Sequence, residues 1–281
     1  MIRLDHTYLA VADLEAAVAA YDRIFGRCPA LWTQVEGARC AYYVFPDFTL
    51  RLVTPQGPGL LGDLARQKLA DDGEGLFDLG FRVDDLETWR RRLSRLSLDP
   101  DPLTDLSVFS ESGGPHLAWT QTALPREVGH GVGLTFVKPK TPCPKSKVIA
   151  EAPMIGLDLV VLSTPEPDRA AALYGARLGL PMVLDRRPPA EGGSRLMQFS
   201  CDTLMLEVTH NPQTHPAGSP DRVWGISWEV ADADATRARL AGTGFNVSEV
   251  KIGAKPGTRV FTLRNGACGV PTLVMQRMPT E

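Results

Sequence analysis

A dominant charge of one sign is missing from this sequence. Thirty lysines and arginines stand against 33 aspartates and glutamates, a formal net charge of −3, so neither nucleic acid nor an anionic membrane has an electrostatic footprint to meet. Long apolar runs are missing as well. No stretch approaches the ~20 residues of a membrane span, and the opening Met1-Ile2-Arg3-Leu4-Asp5-His6 lacks the apolar core of a secretory signal. A cytoplasmic location is therefore expected. Closely spaced cysteines are the third absence. The five present, Cys28, Cys40, Cys143, Cys201 and Cys268, are odd in number and include no C-x-x-C pair, which removes zinc and redox dithiol motifs. Most read as buried small hydrophobes, with Cys143 exposed in a linker, and no base is placed to activate one.

What the chain has is 43% hydrophobic and 22% charged residues over 281 positions, enough for a packed core in one large or two ordinary domains. An internal repeat decides between them. Leu4 to Val11 reads as a strand, and Asp13 to Phe25 as a helix with Asp13 at its N-cap, Leu14, Val18, Tyr21 and Phe25 at helical spacing, and Gly26 as its stop. The pattern recurs 153 residues later without a gap: Leu4, Asp5, Tyr21 and Gly26 match Leu157, Asp158, Tyr174 and Gly179. Each half holds a second copy of the unit. Phe77 to Val83 with Asp84-Asp85 and a helix over 86–96 is one; Val223 to Val230 with Asp232 and a helix over 233–241 is the other. Apolar strands follow, as in Ala41 to Phe45, Thr49 to Val53, Leu196 to Ser200, Thr203 to Val208, Arg259 to Leu263 and Thr272 to Met275. The expected fold is α+β, four βαβββ modules in two domains, 1–138 and 154–281. Residues 139–153, rich in proline and lysine, form an extended exposed linker.

The segments LDHTYLAVADLEAAVAAYDRIFG, TPEPDRAAALYGARLGL, LMQFSCDTLMLEV and GFNVSEVKIGAKPGTRVFTLRNGACGVPTLVM resemble the vicinal-oxygen-chelate superfamily of glyoxalases, bleomycin resistance proteins and dioxygenases. The resemblance implies half-open barrels whose first and fourth module strands carry His, Gln, Asp or Glu ligands for a divalent metal, which binds two neighbouring substrate oxygens as a Lewis acid. At the matching positions this chain has His6, Arg51, Asp78 and Thr135 in its first half, and Leu159, Glu207, Gly225 and Leu273 in its second. Asp158 aligns with Asp5, whose side chain should face away from that of His6. Neither half reaches the three donors a working site needs, whether modules pair within or across the halves. No tightly held cofactor is expected, and a divalent metal stays open only through the weak donors His6, Asp78 and Glu207.

His6 and Glu207 are the candidate catalytic residues, and Arg51, Asp78 and Trp228 the candidate substrate-binding ones. All but Asp78 have a plainer alternative: His6 as a hydrogen-bonded cavity residue, Glu207 as an ion-pair partner of Arg186, Arg195 or Arg259, Arg51 as a surface or ion-pair residue, Trp228, like Trp224, as core. His116, His130, His210 and His215 read as solvated loop residues, and Gly253 to Gly257 as a hairpin turn. Two functions compete. One is an enzyme of lyase or isomerase type acting on a small oxygen-rich or aromatic molecule in a barrel cavity. The other is metal-free binding of such a molecule, as in resistance or sequestration proteins. An extradiol dioxygenase site in the second half is disfavoured by Leu159, Gly225 and Leu273. The expected partner is a small-molecule ligand, with neither nucleic acid nor membrane, and a homodimer is an assembly left open.

Overall fold

The computed structural model describes residues 2–113, 116–187, 194–213 and 215–279. The first half runs β1 (Ile2–Ala10), α1 (Leu14–Phe25), β2 (Leu31–Val35), β3 (Ala38–Val44), β4 (Thr49–Pro55), α2 (Leu60–Asp72), β5 (Gly75–Val83), α3 (Leu86–Arg95), β6 (Thr104–Phe109), β7 (His116–Leu124) and β8 (Leu134–Pro139). The second runs β9 (Met154–Ser163), α4 (Pro167–Ala170) continuing as a π-helical stretch over Ala171–Arg177, β10 (Met182–Arg186), β11 (Arg195–Cys201), β12 (Leu204–His210), β13 (Arg222–Val230), α5 (Ala233–Gly242), β14 (Lys251–Ile252), β15 (Thr258–Leu263) and β16 (Thr272–Arg277). No helix among the described residues is long and apolar enough to cross a membrane.

Each half folds into one eight-stranded sheet, in the orders β2-β3-β4-β1-β5-β8-β7-β6 and β10-β11-β12-β9-β13-β16-β15-β14. Modules therefore pair within a half. Their first strands lie antiparallel at the centre, β1 against β5 and β9 against β13, and each pairs in parallel with the last strand of its own module. The capping chemistry is local. The carboxylates of Asp13, Asp85 and Asp232 accept from Ala16 N, Thr88 N and Ala235 N at 2.9–3.0 Å, each covering an amide the helix leaves unpaired.

One apolar core runs through both halves. Trp228, at 0% exposure, packs its ring 4.7 Å from Phe25, 4.8 Å from Phe45 and 6.1 Å from Phe48. Polar ties reinforce the contact: Arg92 donates to Arg177 O and Leu178 O, Arg239 to Ile24 O, and Tyr21 OH to Ala267 O. A separate cluster fills the concave side of the first sheet.

The halves differ in how that concave side is covered. The first contains α2, which no sequence pattern announced, and it lays Leu61 and Ala65 into the concave cluster. Its sheet also nearly closes, since Glu111 N donates to Trp32 O at 2.9 Å beside the Arg39–Glu111 pair. Residues 139–153 pack on the first half: Ser146 exchanges hydrogen bonds with Val44, Arg27 pairs with Val148, and Cys143 is half-buried against the concave cluster. The linker keeps the expected exposure over more than half of its length, and it is bound to the first half as a strap. In the second half, the described residues between β12 and β13 include no helix, and β10 is exposed along its whole length.

Candidate active site in the first half

The concave side of the first sheet encloses a cavity of about 280 Å³. Arg51 stands in its wall, placed by register between Tyr8 on β1 and Tyr42 on β3. Its guanidinium carbon lies 5.4 Å from the Tyr8 ring centre, 5.3 Å from Tyr42 and 5.6 Å from Trp119. Nη1 donates to Tyr8 OH at 3.1 Å, and Nε is buried without a partner. Among the described residues no carboxylate forms an ion pair with Arg51. Arginine stays charged at any accessible pH, so three aromatic faces stabilise the cation here while its hydrogen-bonding capacity is left partly unused. Trp119 Nε1 donates to Gln121 Oε1 at 2.8 Å, which orients that amide in the same wall.

His6 lies one register step away on the same face, 1% exposed, its ring edge-on to Tyr8 at 5.2 Å. The expectation that Asp5 faces away fails. The β1–β5 register skips Asp5 between Leu4 and His6, and this bulge brings Asp5 Oδ2 to 2.8 Å from His6 Nδ1. Arg82 donates to the other oxygen at 2.8 Å. An ionised Asp5 fixes the tautomer, with the proton on Nδ1 and the lone pair on Nε2, which is buried and unpartnered. Gly80 makes room for the ring: a Cβ there would stand 2.0 Å from His6 Cε1.

Burial and then the Arg51 charge push the His6 imidazole down to about 4, against the raising effect of Asp5. Burial would raise Asp5, but the His6 hydrogen bond and the nearby cations outweigh it and hold the carboxyl well below its usual range. The unfolded chain therefore binds the His6 proton first. Stability from neutral His6 is complete above the ordinary value of 6.5 and is lost as pH falls from there towards 4, by an amount on the order of 3 kcal/mol. Denaturant unfolding across that window should show the decline, and His6→Gln should flatten it. An equal slope in both proteins would remove His6 as the cause.

Asp78 is the bulged residue of β5, with φ of 52°. Gly133 N and Arg126 Nη1 each donate to its carboxylate at 2.8 Å, so it serves as a bridge in the cavity wall. Glu207 stands at the matching place in the second half, against Val161 as Arg51 stands against Tyr8. Its partner is Gln198 at 2.8 Å, and burial raises its carboxyl. Two of the expected cationic partners are engaged elsewhere, Arg195 by Asp168 and Asp185, and Arg259 by Asp234. Glu207 and His6 belong to different sheets, and Trp228 is core, lining neither the cavity nor the cleft described below.

These residues do not fit the metal site of the resemblance. His6 keeps an unpartnered Nε2, but Asp78 is taken up by Arg126 and Gly133 and a guanidinium occupies the place of an acidic ligand. Among the described residues no three His, Cys, Asp or Glu side chains converge. The aromatic cage went unnoticed in the sequence, although Tyr8 lies two residues beyond His6 on the same strand face.

Residues 4–179 match the family described as a glyoxalase-like domain, and residues 156–271 match the glyoxalase/bleomycin resistance protein/dioxygenase superfamily. No curated protein matches the sequence. Among solved structures, a mutant of 4-hydroxymandelate synthase from Streptomyces coelicolor is similar with a TM-score of 0.70 at 13% identity, covering 100% of this chain and 94% of that one. A hypothetical protein from Staphylococcus aureus gives 0.67 at 8% identity, covering 98% and 100%. A xylose isomerase-like TIM barrel/4-hydroxyphenylpyruvate dioxygenase fusion protein gives 0.65 at 14%, covering 99% of this chain and 50% of that one. At such identities the likeness concerns the fold. With a family match across more than half its length and the same module written four times, the chain belongs to the glyoxalase-like domain family, as a tandem member of the glyoxalase/bleomycin resistance protein/dioxygenase superfamily.

Proposed function

We propose that the first half binds a small organic anion, a carboxylate on an aromatic or apolar body, without a metal. The observation that carries this is Arg51: a half-buried cation with no acidic partner among the described residues, a buried and unused Nε, and three aromatic rings around it. A carboxylate entering the cavity supplies the missing charge and accepts the free N–H groups, while Tyr8, Tyr42 and Trp119 offer faces to an apolar body. A cavity of about 280 Å³ suits a single-ring acid.

Calorimetry with phenylacetate and its neutral isostere phenylacetamide tests the reading. The native chain should prefer the acid, and Arg51→Gln should weaken acid binding roughly 10- to 100-fold, as loss of a charged hydrogen bond implies, leaving the amide unaffected. Equal affinity for acid and amide would end it.

A second reading is supported by the Asp5–His6 pair. A neutral imidazole, oriented through Nδ1 with Nε2 buried and unpartnered, can act as a general base for lyase or isomerase chemistry once a substrate reaches it; His6 is not among the residues lining the Arg51 cavity. Exchange of the α-proton of mandelate in D2O, present with the native chain and lost with His6→Ala, would support turnover; no exchange leaves binding alone.

A further inference from the structure

The two central strand pairs each carry a residue out of register, Asp78 on β5 and Trp224 on β13. Both line a cleft of about 430 Å³ between the halves, walled by α2, the start of β5, residues 126–132 and residues 220–224. Trp224 shows what the bulge does. Its neighbours Val223 and Gly225 pair with Leu162 and Val161 while it pairs with neither, and its side chain is left 52% exposed beside the cleft. A large exposed indole on a concave surface is an unused stacking face.

The charge around it is acidic. Five carboxylates line the cleft, Asp71, Asp72, Glu74, Asp78 and Asp221, against Lys68, Arg126 and Arg222. All three cations are already engaged: Lys68 and Arg222 both pair with Asp72, at 3.3 and 3.1 Å, and Arg126 pairs with Asp78. Asp221 is 3% exposed. Its Oδ1 takes bonds from Thr164 and Arg169, while its Oδ2 is buried without a partner. A buried carboxylate oxygen left unpaired is costly unless a donor reaches it.

We propose that this cleft is a second ligand site, for a small organic cation that carries an N–H donor and an aromatic or apolar body. The ammonium donates to Asp221 Oδ2 within the acidic wall, and the body stacks on Trp224. The site is separate from the Arg51 cavity: the Asp78–Arg126 pair and Leu64 form the wall the two share.

The probe is phenethylammonium chloride, titrated calorimetrically into the full chain, with phenethyl alcohol as the neutral counterpart. Saturable binding of the ammonium is expected, at least roughly tenfold tighter than the alcohol. Trp224→Ala changes an exposed side chain and should weaken ammonium binding roughly fivefold or more, with phenylacetate binding unchanged. Asp221→Asn should lower the preference for ammonium over alcohol. No saturable heat with the native chain, equal binding of ammonium and alcohol, or an unchanged affinity in Trp224→Ala would each overturn the proposal.

Discussion

Gly80→Ala is expected to be among the most damaging single substitutions in the chain. Its Cβ would stand 2.0 Å from one His6 ring atom and 2.3–2.4 Å from two others, so the ring must leave its bed. The ring cannot move freely, because Nδ1 is bound to Asp5 and the face is shut by Tyr8. Overpacking of a core ordinarily costs 1–3 kcal/mol, and a displaced hydrogen-bonded pair adds to it; a loss of about 3 kcal/mol or more is expected, with Tm lower by near 10 °C. The decisive comparison is a double-mutant cycle with His6→Ala. With the imidazole removed, Gly80→Ala should cost little, giving a coupling energy of at least about 2 kcal/mol. Additive losses would mean that Gly80 is needed for something other than the ring.

Trp228→Ala should cost roughly 3–5 kcal/mol, the range for truncating a buried aromatic. The indole contacts Phe25, Phe45 and Phe48 across the two halves, so the cavity opens in the surface that joins them. Denaturant unfolding followed by far-UV circular dichroism should shift as one transition. A separate early transition confined to one half, or a loss under 1 kcal/mol, would show that the halves do not depend on this contact.

The βαβββ frame was legible because three of the four module helices begin on a capping aspartate, Asp13, Asp85 and Asp232, and the opening strand and helix of the first half recur 153 residues later. Helix α2 was not, since Gly59 at its N-terminus offers no side-chain cap and its residues alternate small, polar and apolar types without a sharp stripe. The site was legible in part. Arg51 and Asp78 do line the first cavity, but the cage around Arg51 joins β1, β3 and β7, a relation visible only once registers are known. The Asp5–His6 contact depends on a bulge, and strand alternation, which assumes no bulge, placed the two side chains on opposite faces. Trp224 was read as core for the same reason.

The shared core also sets a timetable for the nascent chain. Phe25, Phe45 and Phe48 belong to segments synthesised early, while the indole that covers them lies about 180 residues further on. At ordinary elongation rates that interval is roughly 10–40 s. During it, an aromatic patch destined for an internal seam faces solvent or a chaperone, and the strap over 139–153 can already bind the first half. Misassembly should therefore be most frequent in chains truncated between β8 and β13, which carry a finished first sheet and nothing to close it.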